Sequence, residues 1–239
     1  MKFTFRNLNY AILLIGAFLL FASSNKKSDD NPGGETSSGT VKDIDGNVYH
    51  TVTIGKQVWM IENLKTTKYR DGSTIPNVTD DDTWGSLRTG AYCITKYGKL
   101  YNWDAVNDSR NIAPTGWHVP TMDEWYTLTD YVYANYGTFG SKALASKTDW
   151  ASSTNDNAGA VGNDLTKNNK TGFTALPAGY RGPYGSFYEI GYYGYWWSSA
   201  EGDTNDAGYR YLLYNGSYVG RDFSYYSKKD GFSVRCVKD

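Results

Sequence analysis

Two β-rich runs, Val48–Ile54 (VYHTVTI) and Gln57–Glu62 (QVWMIE), are separated by Gly55-Lys56. Runs of this kind around a short Gly-containing link predict a hairpin, with Asp45-Gly46-Asn47 as the turn before it. Residues 69–76 and 80–85 carry Gly, Pro and Asp and read as loops. Leu100–Val106 (LYNWDAV) reads as a short helix. A longer one starts at Thr121. Thr121 caps it, Glu124 three positions on completes a capping box, and Gly137 suits its end. Met122, Trp125, Leu128 and Val132 form its core-facing stripe. From Ser141 to Thr171 the chain is polar and reads as a long surface excursion with one short helix near Lys142–Ser146. Strands return at Tyr195–Ser199 and at Tyr209–Leu213 and Ser217–Arg221, which flank Asn215-Gly216. Phe232–Val237 (FSVRCV) alternates apolar and polar as a last strand. Helices in the first half and strands in the second predict α+β.

One stretch fits neither a helix nor an ordinary strand. Residues 172–201 (GFTALPAGYRGPYGSFYEIGYYGYWWSSAE) hold ten aromatic residues and six glycines. Glycine destabilises helices, and a buried tyrosine hydroxyl needs a partner. The composition predicts a rigid aromatic loop region suited to binding. Half or more of the ten rings should be core. Of the adjacent Trp196 and Trp197, one should face inward and the other outward.

The first 24 residues have the form of an export signal. Lys2 and Arg6 precede the 11-residue apolar run Ala11–Phe21, which is short for a membrane span. Phe21-Ala22-Ser23-Ser24 resembles a bacterial lipoprotein cleavage box with Ser24 where the lipidated cysteine would stand. Residues 25–40 are Gly-, Ser- and Asp-rich and read as a flexible linker, with the folded part over 41–239. The net charge of −1 offers no basic field for nucleic acid. Contact with a membrane is expected only through the N-terminus, and only if it is lipidated. Export implies an oxidising compartment. Cys93 and Cys236, the two cysteines present, are therefore expected to form a disulfide, against the alternative of two separately buried thiols.

Six ordered blocks carry a resemblance. They are QVWMIENL (57–64), YGKLYNW (97–103), GWHVPTMDEW (116–125), GFTALPAGYR (172–181), YWWSSAE (195–201) and GFSVRCVKD (231–239). Together they resemble the Fibrobacter succinogenes major paralogous domain, a family of exported bacterial proteins that are often surface lipoproteins. The resemblance implies a C-type-lectin-like fold, shared with formylglycine-generating enzymes. Such a fold has two helices, a sheet joining the chain ends and a long loop region that carries binding. Members commonly place a cysteine before the Pro-x-Gly-Trp-His block, where this chain has Ala113. The family carries no defined activity.

Catalytic signals are weak. His50 and His118 have no evident nucleophile beside them. Asp123 with Glu124, or Glu189 with Glu201, are carboxylate pairs that no spacing singles out. The cysteine pair, read as structural, does not supply oxidase chemistry. Asp80-Asp81-Asp82 and Asp203, Asn205, Asp206 offer oxygen ligands for calcium, but equally are turn formers. No cofactor is expected, with calcium left open. The reading is a non-enzymatic binding module, exported to the outer-membrane surface or beyond it. Its expected contacts for a glycan or a protein are Tyr180, Arg181, Tyr184, Tyr188, Tyr193 and Trp196. The alternatives are a structural or adhesin subunit of a surface appendage and, more weakly, a divergent enzyme.

The serine at position 24 generates a test. The chain as written should be exported without lipid, because serine has no thiol to form the thioether. Ser24→Cys should move the protein into the membrane fraction and add acyl mass; lipid already present on the Ser24 form would refute the assignment.

Overall fold

A computed structural model describes residues 39–222 and 226–239, which fall in one compact unit. The export signal over 1–24 lies outside the described residues. So does the linker over 25–40, apart from Gly39 and Thr40, and Thr40 already opens the first strand. The fold is mixed, mostly antiparallel sheet with few helices.

The expected hairpin forms, with β2 (Val48–Ile54) antiparallel to β3 (Gln57–Met60) and Val52 opposite Trp59. The strand β1 (Thr40–Lys42) flanks β2. On the far side of β3 lies the C-terminal β12 (Val237–Lys238), followed by β6 (Trp117–His118). The sheet thus joins the two ends of the folded chain, because Val237 pairs with both Trp59 and His118. The run Phe232–Val237 is less regular than its alternation suggests. Phe232 and Ser233 make single bridges to Tyr101 and Trp196, and only Val237 enters a strand. This run stitches sheets together where a long strand could serve only one.

The stretch read as a helix over Leu100–Val106 divides in two. Its start belongs to β5 (Gly98–Tyr101), paired with β4 (Tyr92–Thr95). Asn102 then caps a short helix, α2 (Trp103–Val106), by accepting from the Ala105 amide. That cap ends the strand, since the Asn102 side chain competes for backbone donors. The helix α3 (Met122–Tyr136) has the expected capping box and ends at Gly137. Its stripe is buried, with Trp125 against Trp59 at 4.8 Å and Phe173 at 6.1 Å. The remaining α-helices among the described residues are α1 (Asp81–Ser86), in a stretch expected to be a loop, and α4 (Gly140–Leu144).

The helix α4 anchors the polar excursion. Lys142 is 1% exposed, and its ammonium donates to the carbonyls of Ala160, Val161, Asn163 and Asp164. Asn168 reaches back to the carbonyls of Ser146 and Val161 at 2.9 and 3.3 Å. A segment without regular structure can be buried only if its carbonyls find donors. Here one lysine and one asparagine supply them. Burial lowers the Lys142 pKa from its ordinary value.

The second sheet has three antiparallel strands in the order β11 (Gly220–Asp222), β10 (Ala207–Leu213), β9 (Tyr193–Glu201). Trp196 and Trp197 lie on opposite faces of β9, yet both are buried, at 2% and 0% exposure. Trp196 joins Trp59, Trp125 and Phe173 in one core cluster, and Trp197 joins Tyr101, Tyr195 and Phe232 in another. The expectation that one of the two faces solvent is therefore wrong, because the sheet is covered on both sides.

Asn63 and Arg235 hold these layers together. Arg235 is fully buried, and its Nε and Nη2 donate to Asn63 Oδ1 at 3.1 and 2.6 Å. Trp196 Nε1 donates to the same oxygen at 3.0 Å, while Asn63 Nδ2 donates to Ser233 Oγ at 3.0 Å. Arg235 also donates to the Phe173 carbonyl and lies 4.3 Å from the centre of the Phe173 ring. Burial pushes its pKa down to about 9.

Cys93 and Cys236 are free and buried. Cys93 packs with Trp84 and Leu100, and Cys236 in a different cluster with Tyr49 and Met60. Here the two thiols are buried separately, with no bond between them. Burial pushes the Cys93 thiol up to about 11 and the Cys236 thiol higher, so both act as small apolar side chains. Thiol titration of denatured, unreduced protein should count two free thiols. A count of none would restore the bridge.

Candidate functional site

The structure divides the six contact residues expected from sequence. Arg181 is fully buried. From β7 (Tyr180–Arg181), paired with β8 (Phe187–Tyr188), it donates to the carbonyls of Gly185, Val78 and Thr79 at 2.7, 2.5 and 3.0 Å. It also pairs with Asp81 at 2.8 Å and stacks on Trp84. Arg181 therefore staples the β7–β8 hairpin to α1 and is spent on structure. Trp196 is core, as described above. Tyr180 is half-buried behind the hairpin, stacked on Tyr188 at 5.2 Å and edge-on to Tyr195 and Tyr226. Tyr184 and Tyr188 are exposed at 84% and 46%, near the exposed Phe187, Ile190 and Tyr192. Tyr193 is the expected contact that lines a cleft.

That cleft, of about 460 Å³, opens over one face of β9 and β10. Its floor follows from the pairing register. Tyr195 lies opposite Tyr211, and Tyr193 opposite Leu213. Side chains two apart on a strand share a face, so Tyr193 and Tyr195 stack at 5.5 Å with planes 8° apart, and Tyr209 and Tyr211 follow at 6.2 Å. Gly220 on β11 makes room for this. A Cβ there would come within 2.0 Å of the Tyr211 ring. Tyr226 closes one wall, edge-on to Tyr195 at 5.3 Å and to Tyr209 at 5.1 Å. Tyr218, 55% exposed, stands at the rim.

Glu189 is the one charged residue among the described residues lining the cleft. It adopts a left-handed backbone, φ 59°, which costs a non-glycine residue about 1 kcal/mol or more. Its carbonyl accepts from the amides of Tyr192 and Tyr193, both at 3.0 Å. Gly179 lets the turn lie flush. A Cβ at Gly179 would sit 2.2 Å from the Tyr188 carbonyl oxygen. Glu189 Oε2 accepts from the Tyr195 hydroxyl at 2.6 Å, and that hydroxyl lies 3.0 Å from the Tyr226 hydroxyl. Burial foremost, then these bonds, raise the Tyr195 pKa. Burial and the Glu189 carboxylate raise that of Tyr193.

Sequence reasoning missed Tyr209, Tyr211, Tyr218 and Tyr226. A signal was present, since Tyr193-x-Tyr195 and Tyr209-x-Tyr211 repeat the same two-residue spacing. Only the register of β9 on β10 shows that they share a face.

The sequence profile of the Fibrobacter succinogenes major domain matches residues 52–238. The chain belongs to that family. No curated protein and no solved structure matches it. The match takes in both halves of the cleft in this domain, β9 with Glu189 and β10 with β11.

The other candidate groups of the domain are engaged elsewhere. Asp80 Oδ1 caps α1 through the Thr83 amide and hydroxyl, and Asp81 pairs with Arg181. Asp203 Oδ1 accepts from the amides of Asn205 and Asp206 in a turn. Among the described residues no group of three or more His, Cys, Asp or Glu is placed to hold a metal ion. His50 Nδ1 contacts Glu62 at 2.8 Å. His118 bridges two carboxylates, with Nδ1 to Asp239 at 2.6 Å and Nε2 to Glu124 at 2.7 Å. Both ring nitrogens are occupied, so His118 has no free nitrogen with which to act as a base.

Burial opposes the His118 charge, but the bonds to Asp239 and Glu124 outweigh it and raise the pKa above its ordinary 6.5. A raised folded-state pKa stabilises the protein fully below the unfolded value and loses that contribution as pH rises through the folded value. Denaturant melts should therefore show this contribution fading as pH climbs above about 6.5. His118→Gln should flatten that part of the profile. An unchanged profile would separate the bridge from stability.

Proposed function

We propose that the chain is a non-enzymatic binding module of C-type-lectin-like architecture, displayed at the bacterial cell surface, that recognises glycan through the tyrosine cleft. The observation carrying this reading is the comb of tyrosines beside a single strained carboxylate. Ring faces of Tyr193 and Tyr211 offer flat apolar area to the C–H faces of a pyranose. The hydroxyls around them and Glu189 offer donors and acceptors to sugar hydroxyls. A cleft of this size suits one small ligand rather than a protein surface. The left-handed Glu189 supports a functional reading, since strain of this kind clusters at binding sites. The reading needs no cofactor.

A second reading, a structural or adhesin subunit with a protein partner, is favoured by a different feature. Tyr184, Phe187, Tyr188, Ile190 and Tyr192 expose apolar area together around β7–β8. Tyrosines in such patches make good interface anchors. An enzymatic reading finds less support, because Glu189 lacks a second carboxylate among the lining residues and His118 is doubly bridged.

Alanine variants separate these readings on a glycan array and by calorimetry. Tyr218→Ala and Tyr211→Ala should each cost about 1–3 kcal/mol of glycan affinity, with Tyr218→Ala leaving the melting temperature unchanged. Tyr195→Ala should cost about 3–5 kcal/mol of stability, as expected of a buried ring. Loss of partner binding in Tyr184→Ala and Tyr188→Ala alone, with the cleft variants silent, would favour the subunit reading.

A further inference from the structure

The electrostatics of the cleft narrow the ligand class further. Glu189 carries the only formal charge among the described lining residues, and no lysine, arginine or histidine stands with them. Its Oε2 is taken by the Tyr195 hydroxyl, while Oε1 has no hydrogen-bond partner among the described residues. No ion pair to Glu189 is formed among them either, unlike Glu62, Glu124 and Glu201, each of which faces a cationic or protonatable partner. The rings add to the same field. An aromatic face is negative, and Tyr193, Tyr195, Tyr209 and Tyr211 line the floor together. Behind the wall lies buried Asp230, whose pKa burial pushes up to about 7, so it adds little charge to the cleft below that pH. Burial foremost, with Glu189 and Asp230 among the further causes, raises the Tyr226 pKa.

A half-buried carboxylate with one oxygen unengaged and no counter-charge among the lining residues leaves a place for a ligand's cation. Ring faces reward the same cation. Neutral sugar recognition needs neither feature, because tyrosine hydroxyls and a neutral amide would serve it equally.

We infer that the glycan taken by this cleft carries a free ammonium, as an amino sugar does, with Glu189 Oε1 as its partner and the tyrosine faces around it. This inference rests on the glycan reading above. It assigns Glu189 the role of selecting the amino form over the N-acetylated and the plain hydroxyl forms. N-acetylation removes the charge, and the acetyl group would meet the carboxylate without compensating it.

Three oligosaccharides of equal length test it: β-1,4-linked glucosamine, its N-acetylated counterpart and the corresponding glucose oligomer. Each is titrated calorimetrically into the full chain at a pH below the amine's pKa. Choline, a cation without a sugar ring, serves as the fourth probe. The amino form should bind on the order of tenfold or more tightly than the two neutral forms, the range of one charge-assisted hydrogen bond. The preference should shrink as salt is raised. Glu189→Gln should erase the preference, bringing the amino form down to the level of the two neutral oligomers. Equal binding of all three sugars, or a preference for the N-acetylated one, would overturn the inference and leave the glycan reading standing. Choline binding as tightly as the amino sugar would overturn it too, because the sugar would then contribute nothing. Binding of none of the oligosaccharides would sink the glycan reading and the inference with it. A preference that persists in Glu189→Gln would show that the cation is selected elsewhere.

Discussion

The interior of this domain depends on one amide oxygen. Asn63 Oδ1 accepts from the Arg235 guanidinium twice and from Trp196 once. Removing a guanidinium from water is expensive unless its donors are matched, and an acceptor shared with an indole matches two elements at once. Arg235 comes from the C-terminal run, Trp196 from β9, and the Phe173 carbonyl and ring from the end of the polar excursion. The five-stranded sheet, the three-stranded sheet and the long excursion therefore meet at one polar point inside an aromatic core. A hydrophobic contact would hold them in proximity. The directional bonds also fix their orientation, and with it the face of β9 that becomes the cleft floor.

Similar economy runs through the other buried cations. Arg181 closes the β7–β8 hairpin onto three carbonyls and one aspartate, and Lys142 closes the excursion onto four carbonyls. Loops of this length cannot bury apolar surface in a regular pattern. Their backbone carbonyls are instead gathered around long cationic side chains. This explains how a chain with little helix holds its long loops in fixed positions. The glycines in the aromatic stretch turn the backbone, and the buried cations keep the turns in place.

What the sequence disclosed follows from how local each feature is. The capping box at Thr121 and Glu124, the stripe from Met122 to Val132 and the hairpin at Gly55-Lys56 rest on neighbours within a few residues, and they were legible. Asn102 was harder, because a strand and a helix share one short run and only the cap marks the border. Arg181 looked like a ligand contact because its exposure is set by Val78, Thr79 and Asp81, about a hundred residues away. Trp196 and Trp197 were misjudged for a related reason. Strand alternation gives opposite faces, but whether a face is covered depends on other layers. Half of the cleft lay outside the stretch that drew attention, since composition singles out 172–201 while pairing recruits Tyr209 and Tyr211.

The Lys142 cage also bears on how the protein meets its surroundings. A loop ordered by a captured ion is only as ordered as the supply of that ion in the medium, and it loosens whenever a competing chelator is present. Here the cation is covalently part of the chain and sits beneath the surface, so it can be neither exchanged nor depleted. This anchor therefore does not draw on the ion content of the medium. The same arrangement holds no captured ion at this point through which the medium could loosen the loop.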